Sequence, residues 1–357
     1  MEGAEQRSHR LRLGLSRLEP AARGLGLVAV LVLVPGASSA GTTREMRVVM
    51  GTMAEVRVSG TLEPAPFIGS AFARIEETEA SLSLWVEGSE ISRLNEAGDA
   101  VLSELAFHAV IKSLEIARAS NGAFDPTLVA NGYEKVDLDH ENRRVRLGAG
   151  MKLDLGGIAK GYAVDRALAE LEGSVPSALV DIGTSSIALF GHEAVTFEIR
   201  DPTGRAPPAS FRLCQGAIGS SSRDQWGDHI EDPRTGQPPS GVSAVTVVSP
   251  SALEADALAT AVFVLGVDSG LALVASRGSD AVALVEEEGR RVLWTTPGFA
   301  ERYALELAEG IVMRVRSSPA SEGRAPLRRN SARTTRTMPS AACSSKKPAI
   351  FVGASPG

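Results

Sequence analysis

Residues Leu153 to Asp165 read LDLGGIAKGYAVD. The apolar start predicts a short strand, the glycine pair at 156–157 a tight turn, and the rest a helix from Gly156 to Leu171. A helix that begins on glycines lets backbone N–H groups approach an anion closely, so this segment is a candidate phosphate cradle. It has neither a Walker lysine–hydroxyl pair nor the spacing of a dinucleotide fingerprint, and a plain strand-to-helix turn remains the alternative.

A second helix, predicted from Ala252 to Val264, carries a carboxylate and a hydroxyl near its start. Asp256 and Thr260 are four residues apart and therefore share one helical face. So sparse a set of oxygen ligands suits magnesium, which keeps waters and substrate phosphates in its coordination shell. The alternative is structural: an acid that favours the helix dipole and a threonine bonded back to a carbonyl.

Two turn sequences place further polar groups. His229 precedes DPRTG (232–236), in which proline sets one corner and glycine closes the turn. A histidine beside a rigid turn is a candidate general base, although a surface or hydrogen-bonding role is the commoner one. Asp125 stands before Pro126 in NGAFDPT (121–127), where a capping or turn role is the default explanation.

The remaining pattern predicts an α+β fold with mixed or antiparallel sheets and packed helices. Valine-rich strands flank a turn at Met50-Gly51-Thr52, and a terminal hairpin is predicted over 281–295. Strands and helices follow one another without a repeating βαβ order, which disfavours a doubly wound sheet. With 357 residues, 43% of them apolar, the chain suits one large domain, predicted over 41–316.

Both ends differ from this domain in composition. Residues 1–40 combine a basic start, an apolar run at Leu25 to Val34 and small residues at Ser38 and Ala40, which predicts a cleaved signal peptide. The run is about half the roughly 20 residues of a spanning helix, and no cysteine follows it for lipid attachment. Residues 317–357 hold seven basic residues against a single acid, which predicts a disordered basic tail.

Charge and cysteine usage exclude two further classes. The formal net charge of −6 argues against nucleic-acid binding, which usually needs a basic face. The only two cysteines, Cys214 and Cys343, lack metal-ligand spacing, so a structural zinc site is disfavoured.

The order of the motifs along the chain resembles the ApbE family, whose members are FAD:protein FMN transferases. The resemblance covers about Met46 to Thr295, and its specific part is LDLGGIAKGYAVD combined with HIEDPRTG. The motifs that carry it are Met50-Gly51-Thr52, SEISRLN (89–95), GAFDP (122–126), the 154–165 segment, the 229–236 segment and Ala255 to Thr260.

The resemblance implies a T-fold-related α+β flavin transferase fold with bound FAD, and Mg²⁺, or Mn²⁺ in its place, on the pyrophosphate. The implied metal ligands are Asp256, Thr260 and the backbone carbonyl of Gly157. His229, near the reacting phosphate, and Asp256 take the catalytic roles. The implied FAD contacts are Met50, Trp85, Asp125, Lys160, Ser221 and His229. Within this family the metal interpretation of Asp256 and Thr260 outweighs the structural one.

The chain departs from the family pattern at two glycine steps. Ser220-Ser221-Ser222 stands where the family has Thr-Ser-Gly, and Arg223-Asp224 follows where it has an acidic and an aromatic residue. Gly183-Thr184-Ser185 stands where the family has Gly-Gly-Asp/Asn. Ser222 and Thr184 therefore bear on FAD affinity and on turnover.

The resulting hypothesis is an exported, magnesium-dependent enzyme that transfers FMN from FAD to a Ser or Thr hydroxyl of an acceptor flavoprotein and releases AMP. The acceptor would be a subunit of a membrane-associated or exported redox system, and the enzyme periplasmic or membrane-associated. Two alternatives stay open: an FAD pyrophosphatase in which water attacks, and an FAD-binding protein with impaired catalysis.

Overall fold

The computed structural model describes residues 41–191, 194–223 and 230–316. Its helices are α1 (Ala65–Leu82), α2 (Glu90–Ala97), α3 (Glu104–Ala119), α4 (Gly156–Leu171), α5 (Ala252–Ser276) and α6 (Phe299–Arg302). Its strands are β1 (Thr42–Val49), β2 (Thr52–Ser59), β3 (Asp99–Val101), β4 (Asp137–Asp139), β5 (Arg144–Arg146), β6 (Ser177–Ile182), β7 (Ser186–Phe190), β8 (Val195–Glu198), β9 (Ala209–Leu213), β10 (Gly216–Ser222), β11 (Val242–Ser249), β12 (Asp280–Glu287), β13 (Arg290–Thr295), β14 (Glu306–Leu307) and β15 (Val312–Val315). The predicted segments 1–40 and 317–357, and also His229, lie outside the described residues.

The described strands form one large sheet and two small ones. The large sheet has nine strands in the order β1-β2-β6-β7-β10-β11-β12-β13-β15. Its neighbours are antiparallel except for the β13–β15 pair, which is parallel. The small sheets are β14-β9-β8 and β3-β5-β4. The predicted α+β class with antiparallel and mixed sheets is therefore confirmed.

Helices and a small sheet cover opposite faces of the large sheet. On one face α5 packs on β10 and β11, α4 on β6 and β7, and α1 on β2. On the other face, Phe211 of β9 joins a core that includes Leu189 of β7. Side chains along a strand alternate between the two faces: Leu179 belongs to the core under the small sheet, and Val180 to the core under the helices.

Some predicted elements differ from the observed ones. The 281–295 hairpin exists as β12 and β13, but it is not terminal, because α6, β14 and β15 follow it. The predicted helix from Ala252 continues to Ser276, with a break at Gly266 (φ 78°, ψ −175°). Helix α2 has an N-cap, since the Ser89 hydroxyl accepts the Ser92 amide at 3.0 Å. Its two turns bury only Ile91 and Leu94, too short a pattern to predict from periodicity.

Helix α5 is the core helix of the large sheet. In the described residues it alone is long and apolar enough to cross a membrane, with a mean hydropathy of 2.0 over its most apolar window. More than half of that window, 56%, is buried against the rest of the chain. Because the core helix of a globular domain passes the same length test, we assign the apolar character of α5 to packing.

Asp165 of α4 joins this helix to its neighbour. Its carboxylate accepts the amides of Ala252 at 2.6 Å and Leu253 at 3.0 Å, and the Ser251 hydroxyl at 2.7 Å. The first amides of an α-helix have no partner within the helix, so an acid at this point both satisfies them and suits the helix dipole. Asp165 thus caps α5 from another element and sets where the two helices meet.

Close approach of α4 and α5 depends on Gly161. We expect Gly161→Ala to destabilise the protein by about 2 kcal/mol or more, because an added Cβ would lie 2.2 Å from the Ala252 carbonyl oxygen and 2.8 Å from Asp256 Cβ. The matched control is Gly69→Ala in α1, where a Cβ meets nothing within 4 Å and where alanine should stabilise by up to about 1 kcal/mol. Urea unfolding of both variants measures the difference, and equal effects would contradict the packing argument.

Candidate functional site

The contacts between α4 and α5 determine which of their residues face each other. Asp165 accepts the Ala252 amide, and four residues earlier on α4 the Gly161 amide donates to Asp256 Oδ2 at 3.0 Å. Residue numbers fall along α4 as they rise along α5, so the helices are antiparallel. Gly157 is one turn before Gly161 on α4, and Thr260 is one turn after Asp256 on α5. The three residues predicted as metal ligands therefore lie on adjacent turns of two packed helices.

Helical geometry brings two of these groups still closer. In an α-helix the amide of residue 161 points at the carbonyl of residue 157. The same Gly161 amide also meets the Asp256 carboxylate. The Gly157 carbonyl and the Asp256 carboxylate thus converge on one N–H group.

Asp256 is a buried carboxylate, only 4% exposed. Burial raises the pKa of its carboxyl above the ordinary value, while the charge of Lys160 and the Gly161 amide act in the opposite direction. Within the described part of the chain Asp256 forms no ion pair. A bound cation would stabilise the ionised form of such a carboxylate, because charge without a partner is costly in a low-dielectric interior.

Strand β10 completes this cluster. A Cβ at Gly219 would lie 2.2 Å from the Ala255 carbonyl oxygen and 2.5 Å from the Asp256 amide nitrogen. Only a glycine at this position therefore allows β10 to approach α5 so closely. Two residues on, Ser221 Oγ lies 3.3 Å from Thr260 Oγ1. The Thr260 hydroxyl also donates to the Asp256 carbonyl at 3.5 Å. The structure therefore brings Asp256, Thr260 and Ser221 together.

Ser186 of β7 joins the cluster without any signal in the sequence. Its side chain is fully buried, and its hydroxyl lowers the pKa of the Asp256 carboxyl. Its place depends on the pairing of β7 with β10, in which Ser186 stands opposite Gly219. A serine at the start of a strand has no local pattern that distinguishes it from a packing residue.

The start of α4 joins two of the sequence motifs. The helix begins at Gly156, as predicted, but the short strand predicted before it is absent, because residues 151–155 are irregular. The Gly156 amide donates to Asp154 Oδ1 at 2.8 Å. A Cβ at Gly157 would lie 2.8 Å from the ring of Phe124, so the GAFDP segment packs directly on this first turn. Lys160 lies on the next turn, near Asp256. A phosphate-binding role for this turn stays a prediction.

Asp125 holds the loop that carries Phe124. It is 4% exposed, and Oδ1 accepts the amide and the hydroxyl of Thr127, at 2.9 and 2.7 Å. Oδ2 accepts the Tyr133 amide at 3.3 Å. These bonds give Asp125 the turn role that the sequence offers as its default explanation, and a contact with FAD stays a prediction.

Met50 occupies a tight hairpin turn between β1 and β2, as predicted. Met50 and Gly51 both have positive φ, 51° and 70°, as a two-residue turn of the primed type requires. Methionine has no steric advantage at positive φ. Its side chain packs against two apolar cores on the helix-covered face of the large sheet, one that contains Leu258 and one that contains Val180. Thr52 adjoins Gly183, whose Cβ would lie 3.1 Å from the Thr52 side chain.

Trp85 lies in the loop between α1 and α2. Its side chain is 97% exposed, and its backbone amide donates to Ser83 Oγ at 3.2 Å. The described contacts do not join it to the cluster around Asp256. A solvated indole at full exposure is available to stack on a planar ligand.

His229 lies outside the described residues, whereas the turn that follows it is described. Asp232 and Gln237 form an isolated bridge around the predicted DPRTG turn. The Arg234 guanidinium donates to both Asp232 oxygens at 2.8 Å. A Cβ at Gly122 would lie 3.8 Å from Arg234 Cγ, so this turn adjoins the loop that carries Phe124 and Asp125. The role of His229 as a base stays a prediction.

The two departures from the family pattern lie in different settings. Thr184 has φ 57°, a left-handed conformation in which glycine costs less than a β-branched residue. Its amide donates to Asp181 Oδ1 at 2.8 Å, and burial raises the pKa of Asp181 to about 6. Ser222 ends β10, and strand alternation directs its side chain to the face opposite that of Ser221.

The donor set around Asp256 fits a hard divalent cation. One carboxylate, one hydroxyl and one backbone carbonyl are oxygen ligands, and magnesium uses one or two carboxylates with waters and substrate phosphates. Among the described residues there is no group of three or more His, Cys, Asp or Glu side chains that suits a metal held by protein alone. The buried Ser186 hydroxyl makes no hydrogen bond of ordinary geometry, so it remains available beside the Asp256 carboxylate.

Comparison with known proteins identifies related sequences. The model of the ApbE family matches residues 50–131 and 128–284. The FAD:protein FMN transferase of Treponema pallidum (strain Nichols) is 31% identical over 314 residues, covering 70% of this chain and 86% of the relative. The FAD:protein FMN transferase of Rhodobacter capsulatus is 29% identical over 337 residues, covering 80% of this chain and 64% of the relative.

A solved structure shares the fold. The apo form of the Pseudomonas stutzeri flavinyl transferase ApbE superposes with a TM-score of 0.65 and 26% identity, covering 73% of this chain and 96% of the other. The fold expected from the resemblance is therefore confirmed. The family match spans more than half of the chain and includes the segments that form the Asp256 cluster. The protein belongs to the ApbE family.

Proposed function

We propose that this protein is an FAD:protein FMN transferase that uses Mg²⁺, or Mn²⁺ in its place. The observation that carries the proposal is the contact between the Gly161 amide and the Asp256 carboxylate, in a chain of the ApbE family. This contact joins the parts of α4 and α5 in which Gly157 and Thr260 also lie. Relatives that bear the name FAD:protein FMN transferase align along most of the chain.

In the proposed reaction an acceptor Ser or Thr hydroxyl attacks the phosphorus on the FMN side of the FAD pyrophosphate. The new P–O bond forms as the bond to the AMP phosphate breaks, and the hydroxyl proton passes to a base. A bound Mg²⁺ would neutralise the pyrophosphate and the charge that develops on the departing AMP. Transfers of this kind depend mainly on positioning and electrostatic stabilisation, which are tasks for fixed protein groups.

The residues of the chain divide these tasks. Asp256, Thr260 and the Gly157 carbonyl would hold the cation, and the glycine start of α4 would present amides to the phosphates. Lys160 would add positive charge beside them. His229 would accept the hydroxyl proton.

The remaining predicted contacts would bind the organic parts of FAD. Met50 and Trp85 would contact the flavin ring, with Asp125 and Ser221 as further contacts. Trp85 is suited to this because its whole ring surface is accessible.

The partner and the location belong to the same proposal. The acceptor would be a flavoprotein subunit of a membrane-associated or exported redox system, and the enzyme would act in the periplasm or at the membrane. The signal-peptide interpretation of residues 1–40 supports export.

The proposal predicts covalent flavinylation of an acceptor. Incubation with FAD, Mg²⁺ and an acceptor known to be competent should give an acceptor mass gain of one FMN with release of AMP, read by mass spectrometry. Asp256→Ala should reduce transfer at least about 100-fold, because the cation loses its carboxylate ligand. Leu62→Ala, at a residue 91% exposed, is the control and should transfer normally.

Two other outcomes would reject the transferase. Conversion of FAD to FMN and AMP, with no gain on the acceptor, would identify a pyrophosphatase that uses the same site with water as the nucleophile. FAD that binds but stays intact would identify a flavin-binding protein with impaired catalysis.

The exposure of Trp85 gives a separate prediction. Trp85→Ala should weaken FAD binding by roughly tenfold, because the flavin loses a stacking surface of about 1 kcal/mol or more. Thermal unfolding without FAD should be unchanged, since the side chain is 97% exposed. Titration by flavin fluorescence tests this against Leu62→Ala. Equal affinities would place the flavin away from this loop.

A further inference from the structure

Two fully buried hydroxyl groups in the described residues make no hydrogen bond of ordinary geometry. They are Ser186 Oγ on β7 and Thr295 Oγ1 on β13. A buried hydroxyl without a partner costs free energy, since its hydrogen bonds to water are lost on folding and not replaced. A structure retains such a group where another requirement outweighs that cost.

The surroundings of Ser186 indicate such a requirement. Ser186 stands opposite Gly219 on β10, and Gly219 lies against the backbone of Ala255 and Asp256. Its hydroxyl is close enough to the Asp256 carboxylate to lower the pKa of that carboxyl. Ser186 therefore approaches the carboxylate from the sheet, and the Gly161 amide approaches it from α4.

The hydrogen bonding of Asp256 is one-sided. The Gly161 amide of α4 donates to Oδ2 at 3.0 Å, which restrains one oxygen. Lys160 adds charge from α4, with no ion pair formed in the described residues. A carboxylate that ligates a cation needs its orientation held by further hydrogen bonds, and such outer partners affect metal affinity strongly. A hydroxyl proton rotates freely, so a small shift lets Ser186 supply this bond.

We propose that Ser186 is a positioning residue of the cation site: its hydroxyl donates to the Asp256 carboxylate when a cation binds, and so orients the ligating oxygen. The inference rests on the cation site of the proposed function. Ser186 itself contacts neither FAD nor the reacting hydroxyl in this role. In the cation-free protein Ser186 interacts with Asp256 without a hydrogen bond of ordinary geometry, and a bound cation would bring the two groups into such a bond.

The experiment compares Ser186→Ala with Thr295→Val, since each removes a buried hydroxyl without a partner and only the first adjoins Asp256. Mn²⁺ binding to the protein without FAD is measured by the loss of the free-ion electron paramagnetic resonance signal. We expect Ser186→Ala to bind Mn²⁺ about tenfold more weakly than the wild type, and Thr295→Val to bind it equally well. In the transfer assay the Mg²⁺ concentration for half-maximal rate should rise, with the rate at saturation within about threefold of the wild type.

Urea unfolding of the variants without a cation distinguishes a positioning role of Ser186 from a packing role. The urea midpoint of both variants should equal or exceed that of the wild type, because each change removes an unpaired buried group. Weak Mn²⁺ binding together with a lowered midpoint for Ser186→Ala would overturn the proposal and assign Ser186 to packing. Unchanged Mn²⁺ binding would overturn it as well.

A conservative variant and the wild type complete the test. Ser186→Cys keeps a weak donor of similar size and should bind Mn²⁺ with an affinity between those of the wild type and Ser186→Ala. It serves in place of the alanine variant if that variant does not fold. Absence of Mn²⁺ binding by the wild type would instead reject the cation site itself.

Discussion

The capping of α5 by Asp165 is the contact on which the rest of the site depends. A carboxylate on α4 accepts two amides and a hydroxyl at the start of α5, and this bond network sets the position of one helix along the other. Gly161 then lets the helices approach until its amide reaches Asp256. Gly157 is one turn before Gly161 on α4, and Thr260 is one turn after Asp256 on α5. A ligand set made from two helices needs this alignment, because a shift of one residue rotates a side chain by about 100° around the helix.

The two buried aspartates of this helix pair show how a structural and a functional acid differ. Burial raises the pKa of both Asp165 and Asp256. Asp165 is surrounded by three donors that compensate for its lost hydration. Asp256 receives one amide bond of ordinary geometry from the described residues. The acid with unused acceptor capacity is the one suited to bind something else.

Two turns of the large sheet hold non-glycine residues in a strained backbone conformation. Met50 and Thr184 both adopt positive φ, which is costly for residues with a side chain branch or bulk. Both lie in hairpin turns at the same end of the large sheet, and Thr52 and Gly183 bring these turns into contact. Glycine or asparagine would relax either turn. Thr184 lies in the turn between β6 and β7, and β7 carries Ser186 of the cluster around Asp256.

Local spacing and turn chemistry were enough to predict the fold class, the start of α4, the hairpin turn at Met50 and the shared helical face of Asp256 and Thr260. The sequence also carried the family resemblance that the comparisons confirmed. The predicted length of α5 was too short. Apolar residues occupy all sides of this helix, so no apolar stripe indicates where it ends. The tertiary structure was needed to show that Asp165 caps another helix and that Ser186 lies beside Asp256. These facts depend on strand pairing and helix packing between residues far apart in the chain, which local periodicity does not encode.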